Sequence, residues 1–375
     1  MTNPLRDLAA AGQAVWLDYV HQDILRDGSL RRLIDDDGLT GLTSNPAIFE
    51  KAIGDGDSYD ARIRQLGAGA GAEALYERIA IADIQAAADL FRPTWERLGG
   101  RDGFVSLEVS PRLAMDTEGT IADARRLWRA VNRPNLMIKV PGTGPGVPAV
   151  RQLVGEGINV NVTLLFGLGA YLAVADAHIA GLEALKAAGG DVSKTHGVAS
   201  FFVSRIDTKI DKAIDQRVNA GDAEASALRA LRGKVAIASA KNAYQHYLKL
   251  IEGERWRALA AAGAASQRLL WASTGVKDPA YPDTLYADGL IGPDTVDTLP
   301  PKTLDAFRDH GRVSASLTDD VAGALHVLAE AERLGLDLAG VTDDLVVEGV
   351  KLFDDAFDAL LRAVSEKQAQ LAAAG

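Results

Sequence analysis

The sequence of 375 residues contains no cysteine. This absence excludes a disulfide framework, a thiolate zinc site and a cysteine nucleophile. The chain also has no uninterrupted apolar run of about 18 residues, the length that a transmembrane helix needs, and residues 1–7 lack the apolar core of a signal peptide. We therefore expect a cytoplasmic protein that does not associate with membranes.

The chain also lacks an excess of positive charge. It carries 40 basic and 51 acidic residues, a net charge of −11, which disfavours binding to nucleic acid or to an anionic membrane over a broad surface. A local basic pocket for one small phosphate group remains compatible with this balance. The 6 histidines are scattered, without the close spacing of metal ligands, so we predict no metal site.

Eight short β-like runs alternate with amphipathic helical segments, which predicts a parallel sheet with right-handed crossovers. Eight such units can close into a (βα)₈ TIM barrel, and this α/β fold with extra helices is our prediction. A doubly wound open sheet is the alternative, although no strand is followed by a G-x-G-x-x-G turn. The predicted strands span residues 14–17, 38–42, 103–109, 135–140, 158–162, 195–200, 268–272 and 295–299.

The 47% hydrophobic content allows a large core, and we predict one barrel domain over residues 1–375. Residues 316–375 are predicted to form two helices, a C-terminal extension packed on the barrel. The polar segment 54–71 is predicted to be an exposed loop, and the segment 277–294 an ordered loop at the mouth of the barrel. The other predicted helices span residues 73–98, 120–131, 147–156, 168–187, 202–218, 223–251 and 301–308.

Lys139 stands inside the apolar run Leu-Met-Ile-Lys-Val-Pro at 136–141. A lysine is rarely buried, because removing an ammonium from water is costly unless the group is paired or loses its proton. An unprotonated lysine amine is a nucleophile that forms Schiff bases with carbonyl compounds. The alternative is an edge-strand lysine whose amine extends to solvent.

Polar side chains stand at or just after the end of nearly every predicted strand, where barrel enzymes place their chemistry. Asn161 and Thr163 are two residues apart, so on a strand they point to the same side. Singly these residues have structural explanations, such as helix capping by Asp18 or Ser273 and a turn at Asn45. Together they favour a catalytic site built from Asp18, Asn45, Glu108, Lys139, Asn161, Thr163, Ser200, Phe202, Arg205 and Ser273.

Five segments resemble those of transaldolases, in the same order, over most of the chain from about residue 15 to about residue 277. The resemblance implies a class I aldolase barrel that transfers a dihydroxyacetone unit from sedoheptulose 7-phosphate to glyceraldehyde 3-phosphate, giving erythrose 4-phosphate and fructose 6-phosphate. It also implies the pentose phosphate pathway and no metal or organic cofactor. The segments are Gly-Leu-Thr-Ser-Asn-Pro at 41–46, Ser-Leu-Glu-Val at 106–109, Leu-Met-Ile-Lys-Val-Pro at 136–141, Asn-Val-Asn-Val-Thr-Leu-Leu-Phe at 159–166 and Ser-Phe-Phe-Val-Ser-Arg-Ile-Asp at 200–207.

The resemblance assigns catalytic roles to four residues. Lys139 would form the Schiff base with the ketose carbonyl. Glu108, with a water held by Thr163, would move protons during formation of the imine. Asp18 would take the C4 hydroxyl proton as the C3–C4 bond breaks.

The remaining residues would bind substrate. Asn45 and Asn161 would hold the dihydroxyacetone hydroxyls, and Ser200 would line the Schiff-base pocket. Arg205, assisted by Ser273, would bind the phosphate.

One position departs from the family pattern. Many transaldolases carry a second arginine shortly after the residue that matches Ser273, in a Ser-Phe-Arg arrangement. Here the run is Ser-Thr-Gly-Val-Lys at 273–277, so Lys277 is the candidate for the second positive charge. An exposed loop lysine without a role is the alternative.

Two rival functions remain open. The first is a fructose 6-phosphate or deoxyribose-phosphate type of aldolase that uses the same lysine. Such aldolases tend to carry glutamine at the position of Glu108 and tyrosine at that of Phe202, which counts against this rival. The second is a barrel kept as a binding or scaffold protein, and the presence of Asp18, Glu108, Lys139 and Thr163 counts against it.

Overall fold

The computed structural model describes residues 3–67 and 69–373. Within these ranges, eight parallel strands follow one another in sequence order and form a closed barrel. The strands are β1 Gln13–Asp18, β2 Gly41–Thr43, β3 Phe104–Glu108, β4 Leu136–Pro141, β5 Val160–Leu165, β6 Gly197–Phe202, β7 Arg268–Ala272 and β8 Thr295–Leu299.

Pairing of the first strand with the last closes the barrel. β1 pairs with β8 in parallel from Gln13 opposite Thr295 to Leu17 opposite Leu299. The predicted (βα)₈ barrel is thus confirmed, and the open doubly wound sheet is wrong. The strands are buried over almost their whole length, as expected for a parallel sheet covered by helices on one side and by its own packed interior on the other.

Helices separate successive strands and form the outer layer, except between β7 and β8, where one short helix lies in a long insert. The helices are α1 Pro4–Ala10, α2 Gln22–Arg26, α3 Ser29–Asp37, α4 Pro46–Gly54, α5 Asp60–Leu66, α6 Ala72–Arg97, α7 Thr117–Val131, α8 Gly146–Gly155, α9 Leu168–Ala187, α10 Ser204–Asn219, α11 Ala225–Leu231, α12 Val235–Glu252, α13 Glu254–Ala260, α14 Leu285–Gly289, α15 Pro301–His310, α16 Val321–Arg333 and α17 Leu338–Ala373.

Some predicted element bounds are wrong. The segment 54–71 is not only a loop, because α5 lies within it and buries Ile63 and the preceding Tyr59. The predicted helix 223–251 is broken near Gly233, which has a positive φ of 67° and separates α11 from α12. β5 runs on to Leu165 through an irregularity in its pairing with β6, where Leu164 has a φ of 61°.

The C-terminal helix α17 lies across the C-terminal end of the barrel. It packs on α4, which follows β2, on α6, which precedes β3, and on α10, which follows β6. It also contacts β5. Gly349 lies in this contact, against the side chains of Leu164 and Phe166. The two predicted C-terminal helices are present as α16 and α17, whereas the division of the chain into one domain with an extension stays a prediction.

Among the described residues, α9 alone is long and apolar enough to span a membrane by length and composition, with a mean hydropathy of 1.2. It buries Tyr171, Val174 and Leu182, and it packs on α8, α12, β5 and β6. Such a helix is typical of the packed outer layer of a barrel.

Candidate active site

Lys139 projects from β4 into the barrel interior. Only 5% of the residue is exposed, so the predicted burial is confirmed and the solvent-facing edge lysine is not observed. Its Nζ donates a hydrogen bond to the carbonyl oxygen of Ser44 at 3.0 Å and lies 3.4 Å from Glu108 Oε2. The β3–β4 register places Glu108 directly opposite Lys139.

Two carboxyl groups share the volume around this amine. Burial raises the pKa of Glu108, the positive charge of Lys139 lowers it again, and the negative charge of Asp18 adds to the increase. Burial likewise raises the pKa of Asp18, while Lys139 and a hydrogen bond from Thr43 lower it. The structure therefore brings Asp18, Glu108 and Lys139 into one electrostatically coupled group.

Asp18 ends β1 at the mouth of the barrel. Thr43 Oγ1 donates to its Oδ1 at 2.7 Å and lies 2.8 Å from the hydroxyl oxygen of Thr298 on β8. These contacts fix one carboxylate oxygen and leave the side chain half-buried.

Asn161 is fully buried on β5 between two serines. Its amide nitrogen donates to Ser106 Oγ at 3.1 Å, and its amide oxygen accepts from Ser200 Oγ at 2.7 Å. The β4–β5 register places Asn161 beside Lys139. These two hydrogen bonds fix the orientation of the amide, with its nitrogen towards Ser106 and its oxygen towards Ser200.

Thr163 lies two residues beyond Asn161 on β5 and is fully buried. Its hydroxyl oxygen makes no hydrogen bond with any group in the described part of the chain. A buried hydroxyl without a protein partner is costly, which is compatible with contact to a substrate or water. The shared side predicted for Asn161 and Thr163 stays a prediction.

Asn45 begins α4, and its side-chain oxygen accepts a hydrogen bond from the backbone N–H of Ile48 at 3.0 Å. Pro46 follows at the first helical position, where its missing N–H costs nothing. Asn45 is thus a helix N-cap as well as a candidate for substrate binding. The cap occupies the amide oxygen and not the NH₂ group.

Arg205 lies in the first turn of α10, just after β6. Burial lowers the pKa of its guanidinium, against the opposing effect of Glu348 on α17. Its Nη1 is buried and forms no hydrogen bond within residues 3–67 and 69–373. The guanidinium lies 5.5 Å from the ring centroid of Phe202, whose ring packs 5.2 Å from that of Phe166.

The end of β7 adjoins this helix turn. Ser273 adopts a φ of 56°, and its hydroxyl lies 2.9 Å from that of Ser204, the residue before Arg205. A helix N-terminus with a buried guanidinium and hydroxyl groups is suited to an anion.

Lys277 is exposed. It lines an outer cavity of about 470 Å³ together with the acidic residues Asp211, Asp215 and Asp278. These surroundings give no added support to the role predicted for Lys277 as a second phosphate-binding cation.

Four polar residues of the site are not among the predicted site residues: Ser106, Thr43, Ser44 and Thr298. Ser106 precedes Glu108 by two residues, so strand alternation already indicated that it faces the same side. Ser44 contributes a backbone carbonyl, a group that no side-chain pattern reveals. Thr43 and Thr298 meet only because the barrel closes, through a sequence separation of 255 residues.

Comparison with known proteins gives the family. The sequence model described as Transaldolase/Fructose-6-phosphate aldolase matches residues 15–364. Proteins named Transaldolase from Thermobifida fusca and a Parafrankia species are each 48% identical to this chain; the alignments cover 98% of the chain and 99% and 98% of the relatives, respectively. A protein named Transaldolase 2 from a Nostoc species is 46% identical, with 97% of both chains covered. The chain therefore belongs to the transaldolase/fructose-6-phosphate aldolase family.

Proposed function

We propose that this protein is a transaldolase of the pentose phosphate pathway. It moves a dihydroxyacetone unit from sedoheptulose 7-phosphate to glyceraldehyde 3-phosphate and produces erythrose 4-phosphate and fructose 6-phosphate. The observation that carries the proposal is the 3.4 Å separation of Lys139 Nζ and Glu108 Oε2 inside a closed barrel. We place the reaction in the cytoplasm.

Lys139 attacks the C2 carbonyl of the ketose and forms a carbinolamine, which loses water to give an iminium ion. Each stage moves a proton between the amine, the carbinolamine oxygen and the medium. Glu108 is the nearest carboxyl group, and its raised pKa suits a group that both accepts and returns a proton. Thr163 offers a hydroxyl to a water beside that carboxyl group.

Cleavage of the C3–C4 bond leaves its electron pair on the iminium system as an enamine and releases an aldehyde. Asp18 accepts the proton of the C4 hydroxyl as the bond breaks. In the reverse sense, it returns a proton to the oxygen of the acceptor aldehyde when the new bond forms. The hydrogen bond from Thr43 holds one oxygen of Asp18 in place through both steps.

The three-carbon intermediate must stay bound until an acceptor arrives. Asn45 and Asn161 hold its hydroxyl groups, and Ser200 orients Asn161. Arg205 binds the substrate phosphate with its unpaired Nη1 at the start of α10, assisted by Ser273. Phe202 packs against the guanidinium, and Lys277 is kept as the candidate for a second positive charge.

A test separates the transferase from an aldolase. Fructose 6-phosphate is incubated with the enzyme, with and without erythrose 4-phosphate, and sedoheptulose 7-phosphate and free dihydroxyacetone are quantified. We expect sedoheptulose 7-phosphate only when the acceptor is present, and no sustained release of dihydroxyacetone. Release of dihydroxyacetone at a comparable rate without acceptor would assign an aldolase instead. Lys139→Met serves as the inactive control.

A further inference from the structure

Two buried carboxyl groups lie on the inner face of α10, outside the reaction centre. Asp207 and Asp211 are one helical turn apart, and both are buried. Burial raises the pKa of both groups, to about 7 for Asp207. Buried acids are rare in proteins unless they are paired or hydrogen-bonded, so their contacts show what they hold in place.

Each carboxylate connects α10 to the same two segments, the start of α12 and the insert between β7 and β8. Asp207 Oδ1 accepts from the backbone N–H of Ala236 at 2.8 Å, and its Oδ2 accepts from the hydroxyl of Tyr286 at 3.1 Å. Asp211 repeats the pattern one turn later. Its Oδ1 accepts from the backbone N–H of Gly233 at 3.1 Å, and its Oδ2 accepts from the hydroxyl of Tyr281 at 2.8 Å.

The two tyrosines belong to the insert between β7 and β8, which begins at Ser273. This insert and α10 supply the two halves of the phosphate site: Arg205 lies on α10, whereas Ser273 lies at the start of the insert. At the site itself, the two halves meet in the contact between the hydroxyls of Ser204 and Ser273, 2.9 Å apart. The carboxylate–tyrosine pairs are a second connection between them.

We propose that Asp207 and Asp211 are positioning residues for phosphate recognition, which hold the insert of Tyr281 and Tyr286 against α10 so that both halves face the same phosphate. This inference rests on the proposed transaldolase function. The backbone bonds to Gly233 and Ala236 anchor the carboxylates on the other side, at the start of α12. Loss of the tyrosine hydroxyls therefore loosens the hold of α10 on the insert without removing the anchor, and it leaves the ion pair of Asp278 with Arg232 at 2.9 Å in place.

The paired substitution Tyr281→Phe and Tyr286→Phe tests the proposal. It removes only the two hydroxyl donors and keeps both aromatic rings. The packing of the Tyr281 ring against Arg232, whose guanidinium lies 6.0 Å from the ring centroid, is therefore kept. We expect the KM values for fructose 6-phosphate and for erythrose 4-phosphate to rise roughly tenfold, because small displacements of a binding group cost up to about 100-fold in rate. Inhibition by inorganic phosphate should weaken by a similar factor.

Transfer to unphosphorylated D-glyceraldehyde, at saturating fructose 6-phosphate, provides the second readout. Its kcat/KM should change less than about twofold, because this acceptor makes no phosphate contact. Tyr247→Phe is the matched control. It removes a buried tyrosine hydroxyl that pairs with Ser266 at 2.9 Å near the N-terminal end of the barrel, and it should leave both sets of constants unchanged.

Unchanged KM values for the phosphorylated substrates in the paired variant would overturn the proposal. Equal losses with erythrose 4-phosphate and D-glyceraldehyde would also overturn it, because they indicate general loosening of the fold. A wild-type enzyme that transfers no dihydroxyacetone unit would instead refute the proposed function itself.

Discussion

At the scale of single residues, the chemistry depends on how one amine and two carboxyl groups share protons. Attack on a carbonyl requires the unprotonated amine of Lys139, so its proton must pass to a nearby group or to the medium. Burial raises the pKa values of Glu108 and Asp18, which makes both carboxyl groups better proton acceptors than they are in water.

Glu108 is expected to control formation of the imine. Replacement of Glu108 by alanine should slow the pre-steady-state appearance of the Schiff base with fructose 6-phosphate by a factor on the order of 10²–10⁴, the usual contribution of a general acid–base. Glu108→Gln keeps the shape but cannot accept a proton, so a comparable loss in this variant would assign the effect to proton transfer and not to packing. An unchanged rate in Glu108→Ala would assign the proton transfer to another group.

Asp297 on β8 offers a prediction about stability. It is buried, its Oδ1 has no hydrogen-bond partner among the residues that the structure describes, and burial raises its pKa from 3.8 to about 8 despite a hydrogen bond with Thr274. At a pH between these two pKa values, the Asp297 carboxyl group has lost its proton in the unfolded chain and keeps it in the folded chain. The contribution of Asp297 to folding therefore decreases as pH rises from about 4 to about 8.

Asp297→Asn removes this titration and keeps the shape of the side chain. We expect the free energy of unfolding of the variant, relative to wild type, to increase steadily between pH 5 and pH 8 and to level off above that. Urea denaturation at several pH values measures this difference. A difference that is constant with pH would show that Asp297 is not protonated in the folded protein.

At the scale of elements, the sequence was sufficient to predict the strands but not all of the helices. The strands are apolar runs that stand out from their neighbours, and β7 and β8 have the predicted bounds. The sequence does not predict the helix break between α11 and α12, because a single Gly233 does not end a helix by itself. The break is stabilised by Asp211, which accepts a hydrogen bond from the N–H of Gly233 and lies in another helix.

The same reasoning applies to the site. Lys139, Glu108 and Asn161 could be predicted because each interrupts or ends an apolar strand. Their neighbours Thr43 and Thr298 could not be predicted as a pair, because only barrel closure brings β2 and β8 to the two sides of β1. The position of a residue at the end of a predicted strand therefore predicts that it lies at the mouth of the barrel. The pairing register of neighbouring strands determines which of these residues are in contact.

The contact of α17 with the barrel can be tested at Gly349. A Cβ atom built on this glycine would lie 2.8 Å from Leu164 Cδ2, so a valine there should push the helix away from β5. We expect Gly349→Val to lower the free energy of unfolding by about 1–3 kcal/mol, as overpacking usually does. Equilibrium urea denaturation measures the change.

Ala369→Val is the control for Gly349→Val. It introduces the same side chain at an exposed position of α17 and should cost less than about 0.7 kcal/mol, the effect of helix propensity. Equal costs for the two variants would mean that α17 does not pack closely on β5 at Gly349.

At the scale of the whole molecule, α17 contacts parts of the chain that are far apart in sequence. Arg112, in the turn after β3, pairs with Asp358 at 2.8 Å, and Lys209 on α10 pairs with Glu348 at 2.7 Å. The apolar spacing of residues 345–360 predicted a packed helix, but an apolar stripe does not specify which surface it covers. From the sequence, packing on the outside of the barrel and packing across one end were both open, and the structure places α17 across the C-terminal end.

These contacts predict that the chain unfolds as one unit. The 5 tryptophans all precede residue 316, so their fluorescence reports the barrel, whereas far-UV circular dichroism also reports α16 and α17. We expect the two urea transitions to coincide. An earlier transition in circular dichroism alone would show that the C-terminal helices unfold independently of the barrel.

The most direct test of the account is reductive trapping of the covalent intermediate. The enzyme is treated with fructose 6-phosphate and borohydride, and the modified peptide is identified by mass spectrometry. We predict a three-carbon adduct on Lys139, none in Lys139→Met, and none without the substrate. An adduct on another lysine, or none on any lysine in the active wild-type enzyme, would contradict the central role of Lys139.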